Sequence, residues 1–370
     1  MPDVFEHYYE SIGEDVAREL ELIRLDPGYK VSFEDGESLT ITGNTKKDFG
    51  TFELIEPRSS AMLDSYLRNA EKIYNLATKY FLYNNFNSAR NVLSTEVLAA
   101  GPRMVATVSK SIHDSVRSSF NSLKLQQVLE YPAVFLGASP FSAPAIYTLM
   151  SHLDFKQGVY YPMGGLYEII ESLVKIGTKL GVSYHYNAPA TKIVTKAGKA
   201  CGITVSGKKI DADIVISNAD LHFSETKLLP KNLQTYPESY WKKRKPGPSA
   251  ILLYLGIRGE LMNFEHHNLF FTNEWETNFK KIFETKEWPE PASIYVCIPS
   301  KTDPTVAPKG MENMFVLVPG PAGARTGEAE IDRLVDSYIE QIAQMSTTPD
   351  LAKTDRRQTS FLAKRFFRTI

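Results

Sequence analysis

The residues of this 370-residue chain best suited to serve a cofactor lie between Gly158 and Pro230. The segment reads as loop, helix, strand, hairpin strands and a buried strand, the middle of a dinucleotide-binding layer. Within it, Tyr160-Tyr-Pro-Met-Gly-Gly165 brings two glycines to a helix start, where backbone amides approach an anion or a flat cofactor. The same pattern also makes an ordinary turn. Further on, Asp213-Ile-Val-Ile-Ser217 predicts an apolar, β-branched strand of the kind buried in a parallel sheet. It ends in Ser217-Asn218-Ala219-Asp220, small residues at a sheet's carboxyl edge, where α/β proteins place ligands. A helix capped by Asn218 or Asp220 is the competing reading.

Other candidate chemistry falls away on spacing. A dinucleotide layer begins with a strand, a Gly-x-Gly-x-x-Gly turn and a helix, and no such element stands in the sequence. Gly320-Pro-Ala-Gly-Ala-Arg-Thr-Gly327 follows a predicted strand, but its glycines are wrongly spaced and Pro321 removes an amide, so a solvent loop is expected. His266-His267 has no Cys or carboxylate partner at ligand spacing in the sequence, so no metal site is expected. There is no Gly-x-Ser-x-Gly elbow, His-Glu-x-x-His or Cys-x-x-Cys. No acid–base constellation identifies catalytic residues.

The surrounding elements follow from periodicity. Tyr29 to Thr42 alternates around Asp35-Gly36 and predicts a β-hairpin. Ser60 to Tyr83 has helical spacing in Leu63, Leu67, Ala70, Ile73, Tyr74 and Ala77. Two more helices are expected over Thr95 to Leu129, broken near Gly101-Pro102. Leu166 to Leu180 predicts a helix ending in a left-handed cap at Gly181. Val182 to Tyr186 reads as a strand, and turns at Ala197-Gly198-Lys199 and Gly207-Lys208-Lys209 join further strands. Ser249 to Ile257, Ser293 to Ile298 and Asn313 to Val318 fit an antiparallel sheet, and Glu328 to Met345 an amphipathic helix.

Composition narrows the class. With 42 basic against 43 acidic residues the net charge is −1, so no overall field favours nucleic acid. Cys201 and Cys297 are far apart, which suits buried free thiols in a reducing cytoplasm. The first twenty residues have neither the basic lead nor the apolar core of a signal peptide. From Tyr131 to Leu153 there is no Asp, Glu, Lys or Arg, a length able to span a bilayer. Pro132, Pro140 and Pro144 interrupt it, which favours a buried helix pair or an apolar wall facing a lipid-like substrate.

Linked motifs in order then carry a resemblance. Gly158-Val-Tyr-Tyr-Pro-Met-Gly-Gly-Leu166, Asn187-Ala-Pro-Ala-Thr-Lys-Ile193 and Ala212-Asp-Ile-Val-Ile-Ser-Asn-Ala-Asp220 resemble the bacterial phytoene desaturase family of carotenoid oxidoreductases, in the FAD-dependent amine-oxidase-like superfamily. Arg24-Leu-Asp-Pro-Gly-Tyr29, Phe135-Leu-Gly-Ala-Ser-Pro140, Tyr295-Val-Cys-Ile-Pro-Ser-Lys-Thr-Asp-Pro304 and Glu312-Asn-Met-Phe-Val-Leu-Val-Pro319 extend it over nearly the whole chain, to about Ala363. The resemblance implies FAD-dependent removal of hydrogen from an apolar polyene such as phytoene or dehydrosqualene. It implies that Ala190 touches the adenine through its backbone and that Ser217, Asn218 and Ala219 lie by the diphosphate. It brings Tyr161 to Gly165, Met163 and Gly164 included, near the flavin or the polyene. Phe135 and Phe141, in the charge-free stretch, are then candidate substrate contacts. Location is expected to be cytoplasmic, peripheral to the inner face of the cell membrane.

The resemblance further implies an internal fragment, because the family's strand, glycine-rich turn and helix precede the segment that here begins at Met1. Partners would then include separately encoded missing parts, and flavin binding by this chain alone would be poor. The expected fold is α/β plus α+β: an incomplete Rossmann-like FAD-binding domain with a substrate domain of mixed sheet and helices. The expected divisions are a helix-rich cap at 1–157, part of the FAD-binding domain at 158–230, substrate-domain sheet and helices at 231–345, and an atypical basic tail at 346–370. A related flavin oxidoreductase of another apolar substrate, retinol-saturase-like or amine-oxidase-like, and a non-catalytic interaction module are the alternatives.

Overall fold

The computed structural model describes residues 2–83, 109–244 and 246–351. Part of the stretch expected to hold the helices of Thr95 to Leu129, Gly101-Pro102 included, and the basic tail after Leu351 lie outside them. The chain divides into two units, Met1–Ser172 with Gly247–Ile370, and Leu173–Pro246.

In the first unit a short strand β1 (Leu22–Arg24) precedes the hairpin of β2 (Tyr29–Phe33) and β3 (Ser38–Ile41). Its turn rests on Gly36 at φ +84° and on Asp35, whose Oδ1 accepts the Glu37 amide at 3.1 Å. Far along the chain, β4 (Tyr160–Pro162) pairs antiparallel with β1. The second unit carries β5 (Ala190–Lys196), β6 (Lys199–Val205) and β7 (Lys208–Asp211) as a three-stranded meander. Ala197 and Gly198, then Ser206 and Gly207, all take positive φ, the mark of tight hairpin turns whose twist suits the strands. The first unit resumes with β8 (Ser249–Arg258), β9 (His267–Phe271), β10 (Ile294–Cys297) and β11 (Met311–Gly320).

These last four strands join the first hairpin in one six-stranded sheet of order β3-β2-β9-β10-β11-β8. Every pairing is antiparallel except β2 with β9, which is parallel. The expected antiparallel sheet is therefore mixed at one place, and β9 is a strand the periodicity did not separate out. Alternation along β9 divides two cores. Leu269 and Phe271 face one side with Val31, Phe52, Leu63 and Leu67; Phe270 faces the other with Ile294, Val316 and Ile339. The helix Glu328–Met345 covers that second side through Ile331, Leu334, Val335, Tyr338 and Ile342, spaced for a single face. Each such side chain contributes roughly 1.5–3 kcal/mol by burial.

The helix Ser59–Ala77 buries Leu63, Leu67, Ala70 and Tyr74, as its spacing predicts. The charge-free stretch forms no long helix. It breaks into 3-10 turns at Tyr131–Leu136 and Ala145–Thr148, a helical turn at Leu149–His152 and a wider turn at Leu153–Gln157. Among the described residues no helix is long and apolar enough to cross a membrane.

In the second unit the helix Tyr167–Lys179 ends as expected, with Gly181 at φ +87° and the Val182 amide returning to the Gly177 carbonyl at 2.9 Å. Two expected strands are absent. Residues 182–186 and 213–217 form no ladder, and Ile214 and Ile216 stand 79% and 87% exposed. A β-branched run becomes a buried strand only with neighbours on both edges, and no described strand pairs with this one.

Candidate active site

Two apolar cavities lie in the first unit. The larger, about 720 Å³, runs from Gly137 and Ala250 past Phe271, Trp275 and Phe279 to Leu317. The smaller, about 370 Å³, is bounded by Phe5, Met150, Val159, Tyr160 and Leu166. Tyr131, Phe135, Leu269 and Tyr295 line both, so the two share a wall. The charge-free stretch supplies Tyr131, Val134, Phe135, Leu136 and Ala138 to the larger cavity, the expected apolar wall, and Tyr131 and Phe135 of these also line the smaller. Prolines and glycines explain the shape: 3-10 turns closed by Gly137 at φ +64° lay consecutive residues along a surface instead of winding them around an axis.

Among the described residues, one carboxyl stands on these walls. Asp154, in the turn after Leu149–His152, lines the smaller cavity. Its Oδ2 accepts the Tyr29 hydroxyl at 2.7 Å and the Tyr131 hydroxyl at 3.1 Å. Burial, against those two hydrogen bonds and with a smaller push from the Asp48 carboxylate, raises its pKa to about 7. Burial and the Asp154 charge together raise both tyrosines well above the usual phenol range, so each stays a donor. A carboxyl poised near neutrality in an apolar cavity can take or give one proton under physiological conditions. Sequence reasoning missed it, since Tyr29 and Tyr131 come from 125 and 23 residues away.

A second buried carboxylate braces the larger cavity. Glu130 accepts the Trp275 indole N–H at 2.8 Å and lies 3.0 Å from His113 Nδ1. That hydrogen bond, partly offset by burial, raises the His113 pKa and favours the paired imidazolium. Trp275, which lines the larger cavity, is held by this hydrogen bond.

The structure places the sequence-derived site residues apart. Phe135 lines both cavities and is 64% exposed. Tyr161 lines neither: strand alternation sends Tyr160 and Pro162 to the smaller cavity and turns Tyr161 away, to Asp303 Oδ2 at 3.3 Å. Phe141 also lines neither cavity; it packs on His113 and Phe279 with ring centroids at 4.5 and 5.9 Å. Met163, Gly164 and Gly165 form a turn whose amides are already used, by the Glu21 carbonyl, Asp303 Oδ2 and the Pro162 carbonyl. The turn therefore offers an anion no free donors, and Asp303 beside it would repel one. Gly164 and Gly165 take φ +90° and +105°, a conformation that favours glycine, and a Cβ at Gly164 would crowd the Glu168 side chain at 2.8 Å.

Ala190, Ser217, Asn218 and Ala219 belong to the second unit. Ala190 opens β5 opposite Val205. Ser217 Oγ lies 2.7 Å from Ser224 Oγ, and Asp220 caps the next turn by accepting the Phe223 amide at 2.7 Å. The cap is the competing reading of that turn, and Asn218 and Ala219 stand exposed on an unpaired backbone. Cys201 and Cys297 are free and half-buried, more open than expected. No described strand is followed by a Gly-x-Gly-x-x-Gly turn: the strand Tyr160–Pro162 leads through Met163–Gly165 into the helix Tyr167–Lys179, and Met311–Gly320 leads through a longer loop into Glu328–Met345. The cavities present suit an apolar ligand; the described residues do not by themselves supply the glycine turn that holds a dinucleotide's phosphates.

Known proteins agree on what this chain is similar to. The profile of the family described as flavin containing amine oxidoreductase matches residues 7–366. A carotenoid 3,4-desaturase of Haloarcula japonica is 35% identical over 99% of this chain and 72% of its own length. A zeta-carotene-forming phytoene desaturase of Myxococcus xanthus is 33% identical over 87% of this chain and 61% of its own. The phytoene desaturase of Neurospora crassa is 30% identical, covering 90% and 58%. The chain thus spans about three fifths to three quarters of these relatives. Among solved structures, an oxidoreductase of Methanosarcina mazei aligns over 88% of this chain and 67% of its own with TM-score 0.55 at 15% identity, a likeness of fold.

Proposed function

Because this chain belongs to the flavin containing amine oxidoreductase family, we propose that it carries the polyene-binding and proton-handling part of an FAD-dependent carotenoid desaturase acting on a precursor such as phytoene or dehydrosqualene. The carrying observation is the pair of apolar cavities with a common wall and Asp154 as their one carboxyl among the described residues. Together they are of a size to bury a long hydrocarbon. Desaturation removes two hydrogens from neighbouring carbons, one with its electron pair and one as a proton. A flavin, when bound, supplies acceptance of the hydride. The chain's own residues do the rest. Leu269, Phe271, Phe279 and Leu317 exclude water and orient the hydrocarbon. Asp154 takes the proton: both tyrosine bonds fall on Oδ2, leaving Oδ1 to receive it while Tyr29 and Tyr131 hold the carboxylate in place. Phe135 and Leu136 put apolar surface at the wall, where a polyene dissolved in a peripheral membrane contact would enter.

Trp275 reports occupancy, being a wall residue of the larger cavity. A coloured carotenoid added in detergent micelles should quench its fluorescence saturably. The signal should vanish in Trp275→Phe and the affinity fall about 10-fold in Ala250→Phe, which fills the cavity. Unsaturable quenching, or quenching unaltered in Trp275→Phe, would remove the cavity from the account.

A further inference from the structure

A second cluster of chemistry-bearing side chains lies on the same sheet and has no part in the proton step. His266 immediately precedes β9, His267 opens it, and Cys297 closes β10 directly opposite His267 in the antiparallel register. One ligand atom from each of the three lies within 4.8 Å of the other two. His266 is only 4% exposed; its Nδ1 meets the Thr302 hydroxyl at 2.8 Å, and its Nε2 is buried with no partner. His267 repeats the arrangement, with Nδ1 at 2.8 Å from the Tyr295 hydroxyl. A hydroxyl on Nδ1 leaves Nε2 as the nitrogen able to ligate, and outer hydrogen bonds of this kind are how metal-binding imidazoles are oriented. A buried ring nitrogen without a partner is costly, and a metal ion satisfies it.

We propose that His266 Nε2, His267 Nε2 and Cys297 Sγ form a binding site for a late first-row transition ion of the zinc class. Two neutral imidazoles and one thiolate are a donor set such ions prefer, with a fourth position left open. Burial holds both imidazoles neutral, His266 at about 4 and His267 at about 3, where protonation does not compete with the metal. The same burial raises the Cys297 thiol to about 11, so the metal-free chain carries Cys–SH and binding must release that proton: one Zn–S bond forms, one S–H bond breaks and one proton leaves. The Tyr161 ring packs edge-on against His266 with centroids at 4.7 Å and walls that side of the site. The Asp303 carboxylate acts electrostatically on His266 and offsets the added positive charge. His266-His267 is visible in the sequence as a pair too poor in partners; strand register supplies the third ligand from 30 residues away. His267 and Tyr295 also line the smaller cavity, so the site borders it, but the geometry of the three ligands does not depend on a flavin.

The test uses the full chain stripped of metal and titrated with Zn2+ or Co2+ alone. We expect one equivalent bound, one proton released per ion, and a thiolate-to-cobalt charge-transfer band in the near ultraviolet. Cys297→Ser should abolish the band and weaken Zn2+ by about 100-fold, while Cys201→Ser keeps both. Tyr295→Phe and Thr302→Val should each weaken Zn2+ on the order of 10-fold through the outer hydrogen bonds. A wild-type cobalt spectrum without a thiolate band overturns the site whatever the variants do, as does Zn2+ binding undiminished in folded Cys297→Ser.

Discussion

Asp154 is where a single residue decides most. Its carboxyl keeps a proton in the folded chain up to about pH 7, against an ordinary value of 3.8. Folded and unfolded states therefore bind protons differently between these limits, and the folded state binds more. Stability is full below about pH 4 and is lost as pH rises toward 7, on the order of 4 kcal/mol for this group. The charged and polar groups around it are the Tyr29 and Tyr131 hydroxyls and the Asp48 carboxylate. Asp154→Asn should flatten that fall, so denaturant midpoints of variant and wild type, compared at pH 5 and pH 8, should diverge in the variant's favour at pH 8. Equal pH dependence in both would show that the carboxyl is not desolvated. Nothing in a lone aspartate announces this, because its partners are distant tyrosines. The charge-free run ending at Leu153, by contrast, marks the cavity wall in plain composition.

Elements were legible where turn chemistry is local. Asp35-Gly36 and Ala197-Gly198 fix their hairpins through positive φ, and the spacing of Ile331, Leu334, Val335 and Tyr338 fixes the last helix. The run Asp213 to Ser217 misleads, because burial of a strand belongs to its neighbours and not to its composition. Gly320 shows the opposite case, a glycine whose reason is tertiary. A Cβ at this position would collide with the Trp288 ring, which is tied by its indole N–H to Thr326 Oγ1 at 2.9 Å. Gly320→Ala should cost about 1–3 kcal/mol by overpacking, read as a lowered thermal midpoint. A variant as stable as wild type would mean that Trp288 swings aside freely.

At the scale of the molecule, one mixed sheet gathers strands from both ends of the sequence and divides two cores, and the cavity pair lies on the face shared with the hairpin and the charge-free stretch. Its strands and its apolar wall were legible because they have local signatures; that the hairpin of residues 29–41 joins the later strands in one sheet was not, the expected divisions having set 1–157 apart from 231–345. The proton site and the His–His–Cys cluster were not, because parallel pairing of β2 with β9 and the register of β9 on β10 bring them together only in the folded chain. The property proposed for the first unit is a pair of apolar cavities in which one carboxyl handles a proton. The most direct test is the pH dependence of polyene desaturation by a flavin-loaded enzyme that contains this chain, measured for wild type and Asp154→Asn. The account predicts a wild-type rate that rises through about pH 7 as Asp154 ionises, and a variant slower by roughly 10²–10⁴-fold with that rise gone. Asp154→Asn turning over at the wild-type rate with the wild-type profile would contradict it.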